Sequence, residues 1–251
     1  MIEKIKKLGK QVARQILPPS IRRWYRMKQR GDEGNLSIGR VNFGNLRRLT
    51  PISNIFGFDR GRPIDRYYIE NFLSQYANDI HGRVLEIEDD SYTRQFGGTR
   101  VTTRDVLHVT EGNPKATFVG DLTCAEHIPS NIFDCVILTQ TLQLIFDMNA
   151  ALKTLYRILK PGGVLLATLP GISPIDTDWN GVYYWGFTTL SAQKLFTEIF
   201  PEENVIVEAY GNVLAAIAFL EGLAVEDIRA EELDYRDPAY QVSITVRAVK
   251  P

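Results

Sequence analysis

Asp176, Asp178 and His127 are the side chains of this sequence suited to take a proton from a bound hydroxyl, the work of a general base. The two aspartates lie in a stretch from Gly171 to Tyr184 that also holds Trp179 and runs into Tyr183-Tyr184-Trp185. Trp179, Tyr183, Tyr184 and Trp185 present flat faces on which a sugar ring stacks, and carboxylates bond its hydroxyls. The same aromatics also serve to pack the edge of a domain. Arg66 has the geometry to grip a carboxylate with two parallel hydrogen bonds, or to pair with Asp65 or another neighbouring carboxylate. The two cysteines, Cys124 and Cys135, fall in or near apolar segments. With no CxxC and three scattered histidines, the pattern predicts neither a disulfide framework nor a metal site.

The elements that position these groups are clearest between Asn131 and Gly171. Cys135, Val136, Ile137 and Leu138 form an apolar run suited to a strand covered on both faces. Ala151, Leu152, Leu155, Ile158 and Leu159 recur at helical spacing, and Lys160-Pro161-Gly162-Gly163 is read as the break that ends the helix. Val164 to Thr168 is a second buried strand, completing a βαβ unit. Upstream, strands are expected at Arg83–Ile87, Asp105–Val109 and Ala116–Val119, after a helix that starts near Pro63 and ends near Tyr76. Downstream come a helix over Leu190–Ile199, capped by Thr188 or Ser191, a strand over Asn204–Tyr210 and an apolar helix over Val213–Leu223. Tyr240–Val249 alternates as a half-exposed antiparallel strand does.

The Phe133-Asp134 strand start, the helix, and the Arg157-x-Leu159-Lys160-Pro161-Gly162-Gly163 junction before a buried strand together resemble the second half of a class I S-adenosylmethionine (SAM) dependent methyltransferase. Gly61-x-Pro63-x-Asp65-Arg66-x-Tyr68 resembles the lead-in of a type 11-like bacterial branch associated with glycan assembly, and Tyr184-Trp185-Gly186-Phe187-Thr188 is similar to that family's YWRFT segment. The resemblance covers roughly residues 60–251 and implies an α/β fold. That fold is a Rossmann-like seven-stranded sheet whose last strand is antiparallel, here with an N-terminal helical arm added. It implies SAM as cofactor, with Arg66 on its carboxylate, Glu86 as the acidic end of the first strand, and Asp121 with the Leu122 amide reading adenine. His108 or Glu111 stands where the family has its ribose-binding acid, and Gln140 faces the methionine part or caps the next turn. One departure is plain: Glu88-Asp89-Asp90 replaces the family's glycine-rich turn. A carboxylate there, Glu88 first, is expected to meet the cofactor's ammonium or sulfonium. A second departure is the six-residue link Thr110–Lys115, too short for the usual parallel crossover.

Charge divides the chain. Residues 1–30 carry ten Lys/Arg and one acid, a balance of +9 inside a total of −1. Ile5, Leu8, Val12 and Ile16 make one apolar stripe on a helix stopped by Pro18-Pro19. Such a basic helix either docks on its own acidic domain or on a second copy, or lies on an anionic membrane surface. Nucleic acid is not expected as a partner. Residues 1–57 are therefore read as arm and linker, and 58–251 as the methyltransferase domain. No apolar run reaches the roughly 20 residues of a membrane span and no signal-peptide pattern is seen, so a cytoplasmic protein, peripheral at most at the inner membrane face, is expected. The implied activity is SAM-dependent O-methylation of a sugar, glycan or related small-molecule hydroxyl. The alternative is a methyltransferase fold kept as an inactive binding or scaffolding module.

Overall fold

The computed structural model describes residues 41–179 and 181–251; the expected N-terminal helix and the basic aromatic stretch after it lie outside them. The chain divides into Met1–Arg48 and a compact unit, Leu49–Pro251. In the latter, seven strands form one sheet: β1 (Gly82–Ile87), β2 (Val101–His108), β3 (Phe118–Val119), β4 (Phe133–Thr139), β5 (Leu159–Pro170), β6 (Val205–Tyr210) and β7 (Ser243–Val249). Their spatial order is β3-β2-β1-β4-β5-β7-β6. The contacts from β3 to β5 are parallel, and β7 runs antiparallel between β5 and β6. This is the sheet the resemblance implies.

Among the described residues five α-helices accompany it: α1 (Ile64–Gln75), α2 (Met148–Ile158), α3 (Thr189–Thr197), α4 (Val213–Leu220) and α5 (Ala230–Asp234). The period of two along each strand sends alternate side chains to opposite faces. Val136 and Leu138 join Leu152 and Leu155 of α2 and Phe196 of α3, while Cys135 and Ile137 join Ile69, Phe72 and Leu73 of α1. Burial on both faces is why β4 reads as an unbroken apolar run. Cys124, by contrast, is exposed, so only Cys135 belongs to the core.

Helix α2 ends at Ile158, before the Lys160-Pro161-Gly162-Gly163 break as expected, and Gly162 takes φ 78°; the break forms the irregular opening of β5, out of register with β4 until Val164. Leu159 is already extended, since the neighbourhood of Pro161 cannot stay helical. β2 begins four residues before Asp105, at Val101, and Asp105 pairs with Arg83 at 2.6 Å. The link from β1 to β2 also lacks a full helix. A π-helical turn, Thr93–Gly97, and a 3-10 turn, Gly98–Arg100, make the crossing. Gly97 permits it, because a Cβ there would collide with the Val101 side chain.

The strand order reverses between β1 and β4, and the crevice beyond the carboxyl ends of those two strands is where open α/β sheets take ligands.

Candidate active site

Four segments converge on that crevice: the start of α1, the turn after β1, the turn after β4 and the long segment after β5. Pro63, bridged to Ala224, sets the start of α1, with the Arg62 carbonyl accepting from the Val225 amide at 2.7 Å. Asp65 Oδ1 accepts from the Arg66 amide at 2.8 Å. Burial pushes the Asp65 carboxyl above the usual range although Arg66 opposes it. Arg66 makes no ion pair with Asp65 within 4 Å. Its Nη1 instead donates to the Tyr92 hydroxyl at 3.4 Å. Burial works against the guanidinium charge, but Asp65, Tyr92 and Glu88 outweigh it and raise the proton affinity.

Glu86 is 3% exposed. Its Oε1 accepts from the Tyr92 amide at 3.1 Å, and Oε2 from the Thr93 amide at 2.8 Å and the Thr93 hydroxyl at 2.7 Å. Burial raises its carboxyl to about 7 while those donors pull the other way. With both oxygens engaged, Glu86 braces the turn that follows rather than facing the crevice.

That turn answers the question raised by its acids. Glu88 holds φ 76°, the left-handed conformation that a glycine takes without strain. Asp89 turns to the Ser91 amide (2.9 Å) and hydroxyl (2.7 Å), and these bonds, with Lys115 and Arg66, hold its carboxyl below the usual range against the effect of burial. Asp90 turns under the sheet toward Arg94. Only Glu88 is exposed at the strand end, its carbonyl held by Asn113 Nδ2 at 2.7 Å. The turn keeps the shape of a glycine-rich loop with two of its three carboxylates drawn aside.

Across the crevice Gln140, at the end of β4, is also left-handed, with φ 46°. Its amide donates to the Thr168 carbonyl at 3.0 Å, and its carbonyl accepts from Gln143 Nε2 at 2.7 Å. Gln143 is 5% exposed and its Oε1 is buried without a partner. The Gln143 carbonyl accepts from the amides of Tyr184 (2.8 Å) and Trp185 (3.3 Å), and Trp185 Nε1 donates to the Ile145 carbonyl at 3.1 Å. The aromatic segment is thereby pinned to the β4 turn. Phe146 meets Tyr184 edge to face and Trp185 at a tilt, ring centroids 5.4 and 5.7 Å apart, and Phe146 and Tyr184 stay exposed. Burial raises the Tyr183 hydroxyl, Ser173 opposes that shift, and Asp65 and Asp176 reinforce it.

The remaining expected residues spread along the sheet edge. Asp121 Oδ1 accepts from the Thr123 amide at 2.8 Å and caps the turn Leu122–Cys124, with the Leu122 side chain buried. His108 Nδ1 lies 2.7 Å from the Thr110 carbonyl oxygen. His127 packs its ring against Gly120. It follows β3, four strand positions from β5, or about 19 Å by strand spacing, so it sits beside Asp121 and apart from Asp176. Asp178 is exposed on the 3-10 turn Thr177–Trp179, its amide donating to Asp176 Oδ1 at 2.9 Å, and Trp179 is exposed beside it.

The sequence reads Gln143, with Gln140, as facing the crevice or capping the turn after β4, whereas it gives Tyr92 and Arg157 no role. Arg157 donates to the carbonyls of Ile128 (2.6 Å) and Ala125 (2.7 Å), anchoring the loop that carries Asp121. Its place in the Arg-x-Leu-Lys-Pro-Gly-Gly junction was the available signal.

Comparison with known proteins agrees with this geometry. Residues 70–167 match the sequence profile of the methyltransferase domain family. That stretch is similar to a methyltransferase domain, as the resemblance implies. The chain is 44% identical over 61 residues to the ubiquinone/menaquinone biosynthesis C-methyltransferase UbiE of Haemophilus ducreyi, covering 22% of this chain and 24% of that one. Against the Pasteurella multocida protein of the same name it is 40% identical over 55 residues, covering 21% and 20%. The match thus spans about a quarter or less of the curated relatives' length. A SAM-dependent methyltransferase from Archaeoglobus fulgidus shares this chain's fold, with TM-score 0.51 and 11% identity over 74% of this chain and 94% of that one. Among the described residues, no helix is long and apolar enough to cross a membrane.

The residues present fit SAM: a left-handed turn at Glu88, a cation at Arg66, and an orphaned buried acceptor at Gln143 Oε1.

Proposed function

We propose that this chain transfers a methyl group from SAM to a hydroxyl oxygen of a small ring-bearing acceptor of the sugar or glycan class. The observation that carries the reading is the pair of left-handed residues, Glu88 and Gln140, on neighbouring strand ends at the point where strand order reverses. Non-glycine residues held in that region cost of order 1–3 kcal/mol each and persist where a site needs them.

When bound, SAM supplies a methyl group made electrophilic by its sulfonium. Arg66 holds a carboxylate, Glu88 and Gln143 accept from an ammonium, and Gln140 lines the wall between them. Asp121, the Leu122 amide and His108 take the nucleoside part, with His127 beside them. Trp179, Tyr183, Tyr184 and Trp185, joined by Phe146, stack on the acceptor ring, and Asp176 and Asp178 bond its hydroxyls. Methyl transfer needs mainly an in-line arrangement of nucleophile and methyl group, so positioning is the chief task of these residues. The proton of the attacking hydroxyl passes to Asp65 or Asp176, the two carboxylates that act on Tyr183.

A second reading, transfer to carbon, draws on the relatives named C-methyltransferases and on the exposed aromatic side chains, which suit an electron-rich ring equally well. One experiment separates the readings. Calorimetric titration with SAM and with S-adenosylhomocysteine is expected to show micromolar binding that Asp121→Ala weakens. Turnover with methyl-13C SAM over a panel of sugars and phenols then reports an O-methyl or a C-methyl carbon. No binding of either compound by folded protein refutes both readings and leaves a binding or scaffolding module.

A further inference from the structure

The shortened crossover between β1 and β2 opens a second cavity, on the face of the sheet where a full helix would lie. Thr102, Arg104 and Val106 occupy successive same-face positions of β2, and Thr102 and Arg104 are left exposed. Together with Asp90, Arg94 and Lys115 they line a cavity of about 250 Å3. Asp90 sits at its base with its side chain 6% exposed. Asp90 Oδ2 lies 2.6 Å from Arg94 Nε and 3.5 Å from Arg104 Nε, and Oδ1 lies 3.8 Å from Lys115 Nζ. Oδ1 is buried and takes no hydrogen bond.

Two chemical requirements follow. Three cations face one carboxylate, so the lining carries an excess of two positive charges, matched by a phosphate monoester. Oδ1, buried without a hydrogen bond, requires a donor, since an unsatisfied buried acceptor is costly even where the charge of its carboxylate is paired. Inorganic phosphate carries P–OH donors of its own at neutral pH, but placing one on Oδ1 while its other oxygens meet three cations crowds charged oxygens against the carboxylate. A phosphate monoester bearing a separate hydroxyl meets both demands without that crowding.

We propose that this cavity binds a small phosphate monoester bearing free hydroxyl groups, a sugar phosphate by chemical class, with the phosphate on Arg94, Arg104 and Lys115 and a hydroxyl on Asp90 Oδ1. The proposal is independent of the methyl-transfer reading. It identifies a site on the far side of the turn whose Glu88 faces the crevice.

The test is calorimetric titration of the full chain with glucose 1-phosphate, mannose 1-phosphate and ribose 5-phosphate, beside inorganic phosphate and glucose. At least one sugar phosphate is expected to bind tenfold or more tightly than inorganic phosphate, with no binding of glucose. The double variant Arg104→Met/Lys115→Met, at side chains 43% and 55% exposed, is expected to keep its fold and lose at least tenfold in that affinity. Asp90→Asn is expected to remove the repulsion and let inorganic phosphate bind as well as the sugar phosphate. Three results overturn the proposal: no sugar phosphate binds, inorganic phosphate binds equally well to the unaltered chain, or the double variant binds undiminished. The last of these assigns the ligand to other cations, those of residues 1–30 first among them.

Discussion

Titration of Glu86 is expected to leave a clear mark on stability. In an unfolded chain its carboxyl titrates near 4.5, and in the folded protein burial raises it to about 7. Between those values the folded state binds a proton that the unfolded state does not. Glu86 therefore contributes stability that is fully present below pH 4.5 and is lost as pH rises through 7. The difference of roughly 2.5 pH units corresponds to about 3 kcal/mol. Other carboxylates obscure the absolute curve, since Asp89, Asp134 and Asp227 are held below their usual range and add stability as pH rises through acid values. Comparison with Glu86→Gln removes their common contribution. The variant keeps an oxygen for Thr93 but sets an amide NH2 against the Tyr92 amide, so it starts less stable. Urea unfolding of both proteins from pH 4.5 to 8 should show the advantage of Glu86 over Gln shrinking by about 3 kcal/mol across that range. A carboxyl 13C resonance titrating near 7 and absent from the variant identifies the group directly. An advantage that is constant or grows with pH, or a midpoint below 5, refutes the reasoning, because the three donors would then have outweighed burial.

Two further perturbations probe the crevice. Arg66→Lys keeps the charge but loses the planar fork, so SAM affinity by calorimetry should fall at least tenfold, about 1.4 kcal/mol, with unfolding midpoints unchanged. Gly171→Ala places a methyl against the Gln241 carbonyl oxygen, which is backbone and cannot yield; urea unfolding should show a loss of about 1–3 kcal/mol.

Much of the fold was legible because its signals are local. The Phe133-Asp134 start, the helical spacing from Ala151 to Ile158 and the apolar run Val164–Thr168 each follow from backbone geometry within a few residues, and parallel connection rules then restrict the order of strands. The element boundaries were less legible. Leu159 to Gly163 reads as the break that ends the helix, and it also opens β5 because Leu159 pairs with Phe133 and Gly162 and Gly163 bond Lys250.

The candidate site divides in the same way. The sequence by itself determined that Glu88-Asp89-Asp90 would stand where the resemblance places glycines, and the resemblance led to Arg66 and the aromatic segment. How those acids are accommodated was decided by tertiary structure. Arg66 precedes β1, Arg94 and Arg104 follow it, and Lys115 lies beyond β2, and only the folded sheet brings the four to one turn. Charge compensation depends on distance in space, which falls off within a few ångströms and bears no fixed relation to separation along the chain. The left-handed backbone of Glu88 and Gln140 is likewise a property of the packed strands around them, since neither residue type favours it.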